Sequence, residues 1–403
     1  MSVTAPQGFR AAGIAAGIKA SGGADLAVVI NDGPSDAAAG VFTANRVKAA
    51  PVLWTQQVIK GGRLRAVVLN SGGANACTGP AGFADTHHTA ERLAGALTGS
   101  AGGGSVDGGS AGGGFAGEVA AGEVAVCSTG LIGERLPMDR LLPGVDVAVT
   151  AASATGGAAA ADAIRTTDTV SKMCCLRGPG YTVGGMAKGA AMLAPALATM
   201  LVVLTTDADL PAEQLDAALR EAVRTTFDRL DSDGCMSTND TVLLLASGAS
   251  GIRPEPGEFA ALLTAACADL ARQLQLDAEG ASKAIAIEVI GAASVDDAVT
   301  AGRAIARCNL LKCAIAGEDP NWGRVLAAVG TTSAAFEPDQ LNVAINGVWV
   351  CRGGAAAGDR SKVDLQPRDV TITVDLAAGP HSATILSTDL TAQYVYENSA
   401  YST

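Results

Sequence analysis

Histidine is scarce: the 403-residue chain has only His87, His88 and His381. A triad built on an imidazole base must use one of these, and a metal site must lean on carboxylates. Cysteine is present but unpatterned. Cys77, Cys127, Cys174, Cys175, Cys235, Cys267, Cys308, Cys313 and Cys351 are odd in number and scattered, with no C-x-x-C pair. Neither a disulfide framework nor a zinc site is indicated, no metal is expected, and the expected setting is a reducing cytoplasm. Positive charge is in deficit, with 28 Lys+Arg against 40 Asp+Glu and a formal net charge of −12. That argues against a nucleic-acid binder, and an anionic substrate would have to be met by local cations. The opening Met1-Ser-Val-Thr lacks a basic region followed by an apolar one, so no secretory signal is expected. One stretch, Gly184–Leu204, is long enough for a bilayer, but Lys188 and Pro195 interrupt it and its core is Ala and Gly. No membrane span is expected.

What is present is a folded chain, 48% hydrophobic and only 17% charged. Its length suits two or three domains, or one large α/β unit. Aromatic residues make up 3%, and the 50 glycines point to close packing of small side chains. Strand-like runs occur at Leu26–Ile30, Ala66–Asn70, Val124–Ser128, Met200–Thr205, Thr241–Ala246, Ala284–Ile290, Leu341–Ile345, Val370–Val374 and Ala383–Leu386. The clearest helix is Pro211–Leu230, where Leu215, Leu219, Ala222, Val223, Thr226 and Leu230 share one stripe. Others are expected over Glu258–Leu276 and Asp296–Leu311. Strands and helices mix throughout, which predicts an α/β (or α+β) fold of layered sheets with flanking helices. The tract Gly99–Gly117 cannot build a core and is expected to be a mobile surface loop. Its Gly112, Gly114 and Gly117 satisfy G-x-G-x-x-G only formally, with no strand before them, so a dinucleotide site is rejected.

The stretch Tyr181–Asp207, YTVGGMAKGAAMLAPALATMLVVLTTD, carries the most chemistry. Lys188 sits in a Gly/Ala run, and Ala198-Thr199 opens the apolar run Met200–Leu204. A threonine hydroxyl there can attack the preceding carbonyl, and hydrolysis of the resulting ester frees Thr199 as a new N-terminus. Its α-amino group, with an ordinary pKa of about 7.7–8.0, then serves as general base for its own hydroxyl. Such a base travels with its nucleophile, which suits a chain poor in histidine. The plainer reading makes Thr199 a β-branched strand residue and Lys188 a solvated loop cation, and on spacing alone it comes first. Four further stretches bear on the choice. Val67–Gly79 runs from a strand into a Gly-rich loop, and Val124–Gly133 brings Ser128-Thr129-Gly130 to a strand end. Asp233–Val242 packs Ser237, Thr238, Asn239, Asp240 and Thr241 before a strand, and Glu318–Leu326 places Trp322 and Arg324 near a helix start. Each alone is a plausible turn with its own caps.

To these are added GFRAAGIAAGIK (Gly8–Lys19), GVFTANRVKAAPV (Gly40–Val52), NSGGANACTG (Asn70–Gly79), STGLIGERLPMD (Ser128–Asp139), TTD (Thr166–Asp168), STNDTV (Ser237–Val242), DPNWGRVLAAVG (Asp319–Gly330) and ENSAYST (Glu397–Thr403). On these collinear stretches, which run nearly end to end, the chain resembles the ornithine acetyltransferase (glutamate N-acetyltransferase) family of arginine biosynthesis. The resemblance implies self-cleavage at Ala198-Thr199 into fragments 1–198 and 199–403, with Thr199 as the acyl-accepting nucleophile. It implies an oxyanion hole from Thr129 and Gly130, and substrate contacts at Thr166 (or Thr167), Lys188, Thr199, Glu279, Asn398 and Thr403. The implied reaction is ping-pong acetyl transfer from N-acetylornithine to glutamate without a cofactor, some members also taking acetyl-CoA as co-substrate. The two fragments are expected to intertwine in one core, to stay together and to pair as an α2β2 heterotetramer in the cytoplasm, with no nucleic-acid or membrane partner.

Within that resemblance Lys188 would offset a substrate carboxylate or hold the scissile bond, and Glu279 would pair with the ornithine side-chain ammonium. Without it, Glu279 reads as a solvated carboxylate at a helix end. The chain departs from the family at Ala191, where Gly is usual; a methyl there is harmless at negative φ and crowds the cleavage loop at positive φ. Three alternatives stay open: an amidase or aminopeptidase using the same threonine, a non-catalytic ligand-binding paralogue, and a relative with a different amine acceptor.

Overall fold

Runs such as Leu26–Asn31 and Leu201–Thr206 are buried at every position rather than at alternate ones. A strand of that kind needs cover on both faces, so its sheet must lie between two other layers. The computed structural model describes residues 2–101, 118–193 and 200–400 and shows how that cover is supplied. The chain runs β1 (Phe9–Ile14), β2 (Leu26–Asn31), β3 (Ala38–Phe42), α1 (Ala50–Val58), β4 (Ala66–Gly73), α2 (Gly79–Ala101), β5 (Val124–Leu131), α3 (Met138–Ala151) and α4 (Gly157–Ala163). It continues with β6 (Lys172–Gly178), β7 (Tyr181–Lys188), β8 (Leu201–Thr206), α5 (Ala212–Thr225), β9 (Thr241–Ala246) and α6 (Pro256–Leu276). The last part is β10 (Ala284–Ala292), α7 (Val295–Ala306), α8 (Asn309–Ala316), α9 (Trp322–Val329), β11 (Asn342–Ile345), β12 (Val348–Arg352), β13 (Ala355–Ala356), β14 (Asp369–Asp375), β15 (His381–Thr388) and α10 (Ala392–Ala400).

Two sheets, in the orders β1-β2-β4-β5 and β3-β9-β8-β7-β6, lie face to face. Their shared interior holds Ala27, Val29, Val67 and Leu69 from the first against Leu201, Val203, Leu243 and Leu245 from the second. Alternate residues of the same strands point outward: Val28, Ile30, Val68 and Val126 pack with Trp54, Leu93, Leu141 and Val145 of α1, α2 and α3. On the other side, Val202, Leu204, Val242 and Leu244 pack with Leu215, Leu219 and Val223 of α5 and Leu263, Leu270 and Leu274 of α6. The result is helix, sheet, sheet, helix. A third sheet, β13-β12-β11-β14-β10-β15, has its own core, in which Ile287, Val289 and Ile372 meet Ala301, Ile305, Ile315 and Val329 of α7, α8 and α9. The α/β layering is as expected; the single core is not, because period-two side chains divide each buried strand between two separate apolar layers.

All nine expected strands are present. Six strands of the described residues are not among the expected ones: β1, β3, β6 and β7, whose Gly, Ala and Cys content (FRAAGI, AAGVF, KMCCLRG, YTVGGMAK) carries little β signal, and the short β12 (VWVCR) and β13 (AA). The helix expected over Asp296–Leu311 breaks between α7 and α8, where Arg307 turns out to donate to Asp231 at 2.8 Å. Gly99 belongs to the end of α2, and residues 102–117 of the expected loop lie outside the described residues. No helix among the described residues is long and apolar enough to cross a membrane.

Candidate active site

The ends of β5 and β7 and the starts of β8 and β9 converge at one edge of the stacked sheets. Parallel pairing of β4 with β5 sets Ser71 beside Thr129 and Gly72 beside Gly130. Gly130 has φ +124°, and a Cβ there would stand 2.6 Å from the Gly72 carbonyl carbon, so only glycine fits and its backbone is left bare. Lys188 ends β7 and is 1% exposed; its Nζ donates to Thr129 Oγ1 at 3.1 Å. No described residue accepts the proton of the Thr129 hydroxyl, which leaves it for a ligand.

Carboxylates fix this arrangement from behind. Asp168 is buried and accepts from Lys172 Nζ at 2.7 Å, Gly189 N at 2.6 Å and Thr166 N at 3.1 Å. Burial alone would raise its pKa, but Lys188, Lys172 and these hydrogen bonds hold it at about 2. Lys172 is shared with Asp277 at 2.5 Å. Burial lowers the pKa of Lys188, and Asp168, Asp240 and Glu279 oppose that effect. Asn239 Nδ2 donates to the carbonyls of Ala74 at 2.6 Å and Ser128 at 2.8 Å, which ties the loop before β9 to the end of β5.

The far wall comes from the C-terminal part. Glu279 N donates to the Ala190 carbonyl at 2.9 Å, and Asn398 Nδ2 of α10 donates to Glu279 Oε2 at 2.9 Å. Gly280 permits this approach: its φ is +60° and a Cβ would come within 2.2 Å of Tyr394 N. Glu279 Oε1 is buried with no partner among the described residues. Together Thr129, Gly130, Thr166, Thr167, Lys188, Ala191, Met192, Asn239, Glu279 and Asn398 line a cavity of 330 Å³. A larger groove of 990 Å³ beside β3 contains none of these residues.

The structure therefore brings together Thr129, Gly130, Thr166, Lys188, Glu279 and Asn398, and Thr167 lines the cavity as well. Ala198, Thr199 and Thr403 lie outside the described residues. Ala191 has no positive φ; the left-handed residue is its neighbour Met192, at +54°, whose N–H donates to Asp233 at 2.6 Å. The positive φ that would make a methyl at Ala191 crowd its surroundings is therefore not present. The sequence reading assigns no role to Asp168, Asn239 or Asp233. The signal was present in T-T-D and in the polar run 233–241, but short polar clusters read as turns, and these side chains act by bonding distant backbone. Among the described residues no group of three or more His, Cys, Asp and Glu could hold a metal ion.

The profile described as the ArgJ family matches residues 10–403. The "Arginine biosynthesis bifunctional protein ArgJ" of Thermobifida fusca is 68% identical over 403 residues, covering 100% of each chain. The protein of the same name from Mycobacterium tuberculosis is 58% identical over 403 residues, covering 99% of this chain and 96% of that one. A crystal structure of ornithine acetyltransferase complexed with ornithine, also from Mycobacterium tuberculosis, is 60% identical with a TM-score of 0.44, covering 50% of this chain and 96% of that one.

Proposed function

The chain belongs to the ArgJ family, acetyltransferases of arginine biosynthesis, and from that premise we propose that it moves acetyl from N2-acetyl-L-ornithine to L-glutamate through an ester on Thr199. The reading begins with self-cleavage. The Thr199 hydroxyl attacks the Ala198 carbonyl, the C–N bond breaks as the hydroxyl proton passes to the Thr199 nitrogen, and the peptide becomes an ester beside a free α-amine. Water then cleaves the ester, releasing Ala198 as a carboxylate and restoring the Thr199 hydroxyl. In turnover the α-amine takes the hydroxyl proton as Thr199 attacks the acetyl carbon, and ornithine leaves with a proton on its α-nitrogen. Glutamate's α-amine then attacks the acetyl ester, giving N-acetylglutamate and restoring Thr199.

One observation carries this reading: Lys188 bonds Thr129 Oγ1 at 3.1 Å beside the bare backbone of Gly130, at the wall of the cavity. With its lone pair engaged, the Thr129 hydroxyl is a preset donor for the oxyanion of each tetrahedral intermediate, and Gly130 N–H is the second. The buried, unpartnered Oε1 of Glu279 supports pairing with the ornithine ammonium. The name "bifunctional" borne by the relatives supports acetyl-CoA as a second acetyl donor to glutamate. The same reading takes the enzyme as cytoplasmic and its fragments as an α2β2 assembly.

The test is the denatured mass of the purified protein beside Thr199→Ala, with acetyl transfer assayed on both. Two species split after Ala198, an uncut and inactive variant, and N-acetylglutamate from either donor are the expected results. An uncut wild-type chain of 39.9 kDa that still transfers acetyl would refute the mechanism. Acetate released without an amine acceptor would make the enzyme a hydrolase.

A further inference from the structure

Met200 is the first described residue on the downstream side of the Ala198-Thr199 bond, and both of its backbone groups are held by one dipeptide. Its N–H donates to Asp240 Oδ1 at 2.9 Å, and its carbonyl accepts from Thr241 N at 3.2 Å. The backbone ladder of β8 and β9 begins one residue later, with Leu201 beside Thr241. Before that point a side chain does the work of a strand. Asp240 is itself locked, fully buried and with its own carbonyl accepting Thr43 N at 3.0 Å. Lys188 acts on it only through space, since the Lys188 ammonium bonds Thr129. Burial, the largest influence, pushes the Asp240 carboxyl well above the ordinary carboxylate range.

A peptide group is planar, so the N–H of one residue and the carbonyl and Cα of the residue before it move as one body. We infer that Asp240 is a positioning residue: by holding the Met200 N–H it orients the peptide plane that Met200 shares with Thr199. The inference rests on Thr199 being the nucleophile. Once the chain is cut, Thr199 is a terminal residue joined to the rest of its fragment by that one peptide bond, and chain ends fray unless tied down. The role therefore falls on the chemical step rather than on substrate binding, and what it requires of residue 240 is an acceptor oxygen, not a charge.

Asp240→Asn keeps an acceptor oxygen in the same shape, whereas Asp240→Ala removes it. Both are compared with wild type and Thr199→Ala for cleaved fraction, thermal midpoint, and kcat and KM per cleaved chain. Asp240→Asn is expected to cleave and to keep kcat within about threefold. Asp240→Ala is expected either to remain uncut or to lose about a hundredfold in kcat, the scale of an ångström's misplacement, with KM within about twofold. Should Asp240→Ala fail to fold, Asp240→Leu fills the site without an acceptor and is expected to give the same loss. Wild-type kcat in a folded Ala or Leu variant overturns the inference, as does an Asn variant as impaired as Ala. Activity retained by Thr199→Ala instead refutes the nucleophile and leaves the Asp240 result to be read separately.

Discussion

The contact between Lys188 and Thr129 joins the ends of two strands from different sheets through one hydrogen bond. Replacing Thr129 with Val keeps the shape, removes the hydroxyl proposed as oxyanion donor and takes the acceptor from the buried Lys188 Nζ. A fall in kcat of about 10²–10³-fold is expected, together with a stability loss of about 1–3 kcal/mol in urea unfolding; Thr129→Ser should restore most of both. Asp168 gives a pH signature. Its pKa lies at about 2 in the folded protein against 3.8 for the free group, so its contribution is full above pH 3.8 and is lost as pH falls through 2. Asp168→Asn should cost about 2 kcal/mol near neutral pH by this route. The gap from wild type should narrow between pH 4 and pH 2, which urea midpoints across that range would measure. Thr129 and Lys188 were legible in the sequence because they belong to extended motifs. Asp168 and Asn239 were not, because the bonds that tie them into the site, from Gly189 N to Asp168 and from Asn239 to the Ala74 and Ser128 carbonyls, join backbone that only the fold brings near.

At the scale of elements, α10 meets the cavity through one turn. Gly280→Ala would drive a methyl into the backbone of Tyr394 and displace Asn398 from Glu279. The expected outcome is a KM for N-acetylornithine raised about tenfold, the equivalent of one hydrogen bond at about 1.4 kcal/mol, with self-cleavage unchanged. Steady-state kinetics beside denatured mass would separate the two. Elements also show where the sequence was readable. Strands β2, β8 and β9 carry the runs Val28–Ile30, Leu201–Leu204 and Val242–Leu245, all Val, Leu or Ile, and α5 and α6 carry clean helical stripes. Strand β7 is rich in glycine and small residues yet is paired on both sides from Val183 to Ala187, because β6 and β8 supply the order its own side chains do not.

For the whole molecule, the second sheet draws β3, β6 and β7 from before residue 198 and β8 and β9 from after it. A cut at Ala198-Thr199 leaves both the β7–β8 and the β3–β9 ladders intact. The two fragments are therefore expected to elute together at native pH and to separate only in denaturant, which size exclusion with and without urea would show.

Strands β7 and β8 are antiparallel neighbours, Lys188 beside Leu201, joined through residues 189–200. While that connection is whole, bringing the two strands together is an event within one molecule, and closing so short a loop costs little entropy. Severed, the same ladder has to be rebuilt from two diffusing pieces, so refolding acquires a concentration dependence that the newborn chain never had. Under the proposed cleavage, maturation would run one way: the protein would assemble as a tethered chain, lose the tether, and thereafter persist by how slowly it comes apart.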